Sequence, residues 1–144
     1  FAAHGIFNAQ NPQFSGVVLS LLNEKGDFEN GLLSLQDVYN LRLNSDLVVL
    51  SACRTGLGKQ VKGEGVVGLT RGFMYAGSRR VVASLWKVQD DATAELMSNF
   101  YKNILRDGKR PAEAMRLAQI SMLKKNQYNS PFFWAAFVHY GEWQ

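Results

Sequence analysis

Short apolar runs bounded by polar residues recur along the chain and predict β-strands. Residues 16–22 are too few for a helix and are rich in strand formers, and the polar residues 23–27 that follow predict a hairpin turn. Residues 46–51 and 81–85 are almost continuously apolar, which is typical of parallel strands covered on both faces. The aromatic run 132–138 predicts a last strand.

Two short helices are predicted between these runs. Ser34, followed by Asp37, resembles a capping box and predicts a helix that continues through Leu41. A second helix is predicted over residues 66–76, because Gly77 directly after it is suited to a left-handed C-cap. Each helix therefore has a signal at one of its ends.

Two further helices are predicted in the second half of the chain. Residues 92–105 carry an apolar stripe at helical spacing, and Pro111 opens the next helix. Strands that alternate with helices predict an α/β fold with a mostly parallel sheet and helices on both faces. The apolar stripe consists of Leu96, Met97, Phe100, Tyr101, Ile104 and Leu105, and the second helix has a small-residue face of Ala114, Leu117, Ala118 and Ser121.

The composition narrows the class of protein. A chain of 144 residues with 47% hydrophobic and 19% charged residues is typical of one globular domain, which we assign to residues 1–144. The sequence contains no apolar run long enough for a membrane span and no signal-peptide pattern, which predicts a cytoplasmic protein with no membrane partner. Cys53 is the only cysteine, so it cannot form an internal disulfide, and its thiol is available for chemistry.

The net charge of +4 comes with basic residues concentrated late in the chain. Such a concentration is most often a solvated helix face, and direct binding of nucleic acid would require the residues to form one patch. We therefore do not expect nucleic acid to bind directly. The residues are Arg106, Lys109, Arg110, Arg116, Lys124 and Lys125.

His4 and Cys53 each stand at the end of an apolar segment. Active sites of parallel sheets gather at the carboxyl ends of strands, and neighbouring strands are about 4.8 Å apart. If the two segments are neighbours, the imidazole can exchange a proton with the thiol, whose ordinary pKa is about 8.5. Each residue alone is more often structural, but the combination predicts a His–Cys dyad. The N–H groups of Gly5 and Cys53 would then form an oxyanion hole.

Three other features carry less functional meaning. Residues 63–68 match the dinucleotide pattern G-x-G-x-x-G, but polar residues separate them from the preceding strand, so we interpret the glycines as a loop and a helix start. Asp90 and Asp91 follow a strand end, where they can cap a helix or contact a substrate. His139 has no evident partner and is interpreted as structural.

The motif SACRTG at residues 51–56, with His4 placed 49 positions (53 − 4) before Cys53, partly matches the caspase signature. The chain resembles CHAT domains more closely; these are caspase-like cysteine peptidases related to separases and often fused to tetratricopeptide repeats. The matching blocks run nearly from end to end. They are residues 1–5, 32–41, 46–56, 63–69, 83–93 and 133–137.

The resemblance implies a caspase-like three-layer sandwich that acts as a thiol endopeptidase on a protein substrate, with His4 and Cys53 as the dyad and with no cofactor or metal. By similarity to separases, Asp90 and the adjacent Asp91 are expected in the pocket for a basic P1 residue, the substrate residue before the scissile bond. A repeat or sensor module is expected to regulate the activity. The alternative is a catalytically silent module that docks a partner by edge pairing.

Two features depart from the family pattern. Arg54 stands where CHAT domains more usually have an acidic residue, which affects the rim of the site and leaves the dyad intact. The strands and helix that precede the catalytic histidine in a caspase-type sheet are missing from the sequence. We therefore expect the chain to be the C-terminal part of the fold, completed by a preceding N-terminal segment or subunit.

Overall fold

The structure is a computed structural model that describes residues 1–6, 8, 10–51, 53–54 and 64–143. The strands are β1 (His4–Ile6), β2 (Gly16–Val18), β3 (Leu32–Ser34), β4 (Val48–Leu50), β5 (Cys53–Arg54), β6 (Arg80–Ser84) and β7 (Phe137–Gly141). The α-helices are α1 (Leu35–Asn40), α2 (Glu64–Tyr75), α3 (Asp90–Leu105), α4 (Pro111–Leu123) and α5 (Pro131–Trp134). The predicted α/β content is confirmed. Within the described ranges, no helix has the length and apolar character needed to cross a bilayer.

The strands form two small mixed sheets, with the orders β3-β2-β1-β5 and β4-β6-β7. The pairs β1–β5 and β4–β6 are parallel, whereas β1–β2, β2–β3 and β6–β7 are antiparallel. The described strands are thus mixed, where the sequence predicted a mostly parallel sheet. Part of the reason is chain length, because the nine residues between β1 and β2 are fewer than the crossover of a dozen or more residues that a parallel pair needs.

Two backbone hydrogen bonds join the two sheets. The amino group of Phe1 donates to the carbonyl of Val49 at 2.7 Å, and the N–H of Ser51 donates to the carbonyl of Phe1 at 2.9 Å. This is the pattern of a parallel ladder, and it continues the register that sets His4 opposite Cys53. The start of the chain therefore runs beside the end of β4, and β1 continues in the same register beside β5.

Helices pack against both faces of the β4-β6-β7 sheet. On one face, Val49 and Val82 belong to a core cluster with Phe100 of α3 and with residues of α4. On the other face, Val81 clusters with Phe73 of α2. Consecutive strand residues enter different clusters because strand side chains alternate between faces. The predicted burial of these strands on both sides is confirmed.

The capping box predicted for α1 is present. The hydroxyl of Ser34 accepts a hydrogen bond from the N–H of Asp37 at 3.2 Å, and the Asp37 carboxylate accepts one from the Ser34 N–H at 2.9 Å. Hydrogen bonds from Ser34 hold the pKa of Asp37 below its usual value. The helix ends at Asn40, and Leu41 is its C-cap.

Gly77 follows α2 and has a positive backbone φ angle, as predicted for a left-handed C-cap. Its φ is +111°, and the N–H groups of Ser78 and Gly77 donate to the carbonyls of Phe73 and Met74 at 3.0 and 3.1 Å. This bonding pattern is a Schellman motif. A Cβ at Gly77 would overlap the carbonyl oxygen of Leu43, so only glycine fits both the angle and the space.

We expect the substitution Gly77→Ala to lower the free energy of unfolding by about 3 kcal/mol, because backbone strain and a backbone clash act together. Gly108→Ala is the matched control. Gly108 also has positive φ, +63°, but a Cβ there would meet no atom within 4 Å, so a loss of only about 1 kcal/mol is expected. Equal losses in urea unfolding would contradict this account of Gly77.

The predicted last strand is wrong in its first half. Residues Pro131–Trp134 form α5, and β7 begins at Phe137. Ser130 is the N-cap, and its hydroxyl accepts a hydrogen bond from the N–H of Phe132. Pro131 is suited to the first helical position, because the N–H that proline lacks has no partner within the helix at that position. A continuous apolar run has no period that distinguishes a short helix from a strand.

The apolar stripe of α3 is partly confirmed. Leu96, Met97 and Phe100 are buried, whereas Tyr101 is 40% and Leu105 is 81% exposed. Leu105 is the last residue of α3, directly before the turn to α4. The predicted core position of Leu105 is therefore wrong, because periodicity alone does not show where the core ends along a helix.

Candidate active site

His4 and Cys53 lie side by side on adjacent parallel strands. β1 pairs with β5 so that His4 is opposite Cys53 and Gly5 is opposite Arg54. Neighbouring strands are about 4.8 Å apart, so the backbones of the two predicted dyad residues are direct neighbours. His4 is exposed and Gly5 is buried.

The backbone that carries His4 is fixed on both sides. β5 pairs with one edge of β1, and β2 pairs with the other, setting His4 opposite Val18 and Gly5 opposite Val17. Val17 is fully buried, which anchors the hairpin against the core. The position of the histidine thus depends on the hairpin and on the parallel ladder together.

A cavity of about 500 Å³ adjoins His4. It lies between residues 1–4 and one face of α3, with Met97 and Tyr101 of that helix in its wall. A space of this size is enough for one extended side chain of a peptide. Because His4 lines the cavity, a group bound there is held next to the predicted dyad.

Two opposite charges line the cavity. Asp90 stands at the first position of α3, and Lys87 lies three residues earlier, in the segment after β6. Gln89 is the N-cap of α3, and among the described residues no side-chain hydrogen bond caps the helix. The interpretation of Asp90 and Asp91 as capping residues is therefore wrong, and their carboxylates interact with the helix through its dipole.

The two predicted substrate-binding carboxylates have different positions relative to the cavity. Asp90 lines the cavity together with His4. Asp91 is exposed in the same helical turn and is not among the described residues that line the cavity. Of the two predicted substrate-binding residues, Asp90 therefore lies in the cavity wall, whereas Asp91 lies beside it.

Two polar residues of α3 complete the wall. The hydroxyl of Thr93 is buried and has no hydrogen-bond partner within the described part of the chain. Burial raises the pKa of the Tyr101 phenol, so it stays protonated and can donate a hydrogen bond at neutral pH. Both side chains add uncharged polar groups to a cavity that Lys87, Asp90 and His4 also line.

His139 lies away from this cavity, on β7 opposite Val82. Its half-buried imidazole has a pKa lowered by burial and by the positive charge of Arg80. Its Nε2 atom has no hydrogen-bond partner among the residues that the structure describes. The structural role assigned to His139 stays a prediction.

Lys87, Thr93 and Tyr101 line the cavity but were not predicted as site residues. Thr93, Met97 and Tyr101 are spaced four apart, so they share one helix face with each other. Met97 and Tyr101 were interpreted as part of the core stripe, and Thr93 was given no role. The same spacing is found on a helix face that fills a core and on one that lines a cavity, so the sequence pattern does not separate the two.

The sequence profile of the CHAT domain family matches residues 1–142. The chain therefore belongs to the CHAT domain family, which is related to caspase-like cysteine peptidases. This confirms the resemblance found in the sequence.

Two relatives are similar over most of the chain. They are proteins named tetratricopeptide repeat protein 28 from Mus musculus and from Homo sapiens, each 36% identical over 113 residues. The match covers 76% of this chain and 4% of each relative. The chain thus spans about 4% of the length of these relatives.

Proposed function

We propose that the chain is a cysteine endopeptidase domain that hydrolyses peptide bonds in protein substrates through a dyad of His4 and Cys53. The pairing of His4 with Cys53 across adjacent parallel strands carries the proposal. A thiol and an imidazole on neighbouring strands are the two groups that nucleophilic catalysis by cysteine requires.

The reaction proceeds in two stages. His4 takes the proton of the Cys53 thiol, and the thiolate attacks the scissile carbonyl carbon; the C–N bond then breaks as His4 gives this proton to the leaving amine. The oxyanion hole assigned to Gly5 and Cys53 stays a prediction. Water then attacks the thioester, His4 accepts its proton, and the acid product leaves with Cys53 restored to the thiol or thiolate. No cofactor enters either stage.

The fold that we propose for this domain is a caspase-like three-layer sandwich. Helices pack on both faces of the β4-β6-β7 sheet, and backbone hydrogen bonds from Phe1 and Ser51 connect this sheet to β1. Both observations support a layered arrangement with the dyad at one end of the parallel strands.

We further propose that Asp90 binds the P1 side chain in the 500 Å³ cavity. Asp90→Asn should lower the rate constant for an arginine P1 substrate about tenfold relative to a norleucine substrate, because a partly hydrated ion pair is lost. Asp91→Asn removes the same charge at a residue outside the cavity wall. The ratio of the arginine and norleucine rate constants should therefore change less than about twofold. Equal effects of the two substitutions in a steady-state assay would refute the assignment.

A repeat or sensor module that gates the peptidase in the cytoplasm is part of the same proposal. It is supported by the two relatives, whose names identify them as tetratricopeptide repeat proteins. An ungated endopeptidase would damage cellular proteins, so regulation by an attached or bound module is expected.

The proposal is tested by covalent labelling of the full-length protein with peptide acyloxymethyl ketones that carry different P1 residues. The wild type should be labelled, Cys53→Ala should not, and His4→Ala should be labelled more slowly. Labelling that is unchanged in Cys53→Ala, or absent from the wild type under every activating condition, would contradict the proposal.

A second candidate is a catalytically silent interaction module. Its support is the hairpin beyond β2 and β3, where Leu21, Leu22 and Phe28 are 54%, 48% and 90% exposed. Exposed apolar side chains beside a sheet edge are suited to a protein partner. Absence of labelling together with partner binding that requires Phe28 would favour this candidate.

A further inference from the structure

Lys87 is held at the cavity by fixed neighbours on both sides. The indole N–H of Trp86 donates to the carbonyl of Phe132 at 2.9 Å, and Val88 is only 1% exposed. The backbone between these two anchors therefore has little freedom. It carries Lys87 into the cavity wall that also contains Asp90 and His4.

Within the residues that the structure describes, neither Lys87 nor Asp90 has a direct partner that neutralises its charge. Lys87 and Asp90 form no ion pair with each other or with another residue in the described part of the chain. A side chain that enters the cavity thus meets a cation and a carboxylate on the same wall. The phenol of Tyr101 and the hydroxyl of Thr93 add uncharged polar groups nearby.

We propose that Lys87 is a specificity-determining residue that makes the cavity accept long carboxamide side chains, as in glutamine, about as well as basic ones. The inference rests on the proposed peptidase function, because it assigns the cavity to the P1 residue. A carboxamide donates through its NH₂ group to Asp90 and accepts through its oxygen from Lys87. A guanidinium or ammonium gains the attraction of Asp90 but also experiences repulsion from Lys87.

The preference of the cavity for a basic P1 side chain then depends on two opposing effects, which are attraction by Asp90 and repulsion by Lys87. Removal of the lysine charge should therefore increase that preference, and removal of the Asp90 charge should reduce it. Both charges are exposed to solvent, so salt should weaken each effect.

The experiment measures second-order inactivation rates of the full-length protein with acyloxymethyl ketones that carry arginine, glutamine or norleucine at P1. In the wild type, the arginine and glutamine rates should agree within about threefold. Lys87→Met should raise the arginine-to-glutamine ratio about fivefold, and this gain should shrink in about 0.5 M NaCl. Lys87→Arg keeps the charge and should keep the ratio within about twofold.

Lys102→Met is the matched control, since Lys102 is an exposed lysine in the last turn of α3 and outside the cavity wall. A ratio in Lys87→Met within about twofold of the wild type, or an equal change in Lys102→Met, would overturn the role of Lys87. If the wild type is labelled at Cys53 in that case, the proposed peptidase function is still supported. If no probe labels the wild type, the peptidase and the role of Lys87 both fail.

Discussion

Replacement of Cys53 by alanine is expected to abolish peptide hydrolysis, and replacement of His4 by alanine is expected to lower kcat/KM by about 10³-fold. The alanine at position 53 leaves no nucleophile, so no thioester forms. Without the imidazole, the thiol is mostly protonated near neutral pH and the leaving amine receives no proton. The measurement is steady-state cleavage of a fluorogenic peptide by the activated full-length protein.

His139→Gln is the matched control, because His4 and His139 are the two histidines of the chain. His139 lies on β7 and does not line the cavity, so kcat/KM should remain within about threefold of the wild type. Comparable losses in the two histidine variants would show that His4 acts through general stability, which would remove it from the dyad.

Phe100→Ala should lower the free energy of unfolding by about 3 to 5 kcal/mol, since it leaves a large cavity in the main core. Phe100 is fully buried in the cluster formed by α3, α4 and the sheet. Leu105→Ala, in the same helix, should change stability by less than about 0.5 kcal/mol, because Leu105 is 81% exposed. Urea unfolding of both variants checks the pair, and similar losses would place Leu105 in the core after all.

Local signals in the sequence predicted the ends of elements well. The capping box of Ser34 and Asp37 and the left-handed Gly77 were both predicted, because each depends on a few adjacent residues. The run 132–138 was assigned wrongly as one strand, since the Ser130 cap and Pro131 determine a helical turn that the apolar pattern does not reveal. The mixed sheet order depends on contacts between distant segments, which periodicity does not encode.

The candidate site, too, could be predicted only in part from the sequence. The adjacency of His4 and Cys53 could be anticipated, because two apolar segments were expected to lie side by side in a parallel sheet. The expected position at strand carboxyl ends differs from the structure, since the two residues are the first residues of β1 and β5. Lys87 and Tyr101 could not be assigned, because only the packing of α3 beside residues 1–4 makes them neighbours of His4. Side chains that share a helix face can line a cavity or fill a core, and sequence spacing is the same for both.

The central claim is that a substrate acylates the thiol of Cys53, and trapping of that thioester tests it most directly. The activated full-length protein is mixed with an active-ester peptide, quenched in acid within seconds, digested and mapped by mass spectrometry. The account predicts an acyl adduct on the peptide that contains Cys53, which hydroxylamine removes and which is missing from Cys53→Ala. Peptide cleavage that persists in Cys53→Ala without any adduct would contradict it.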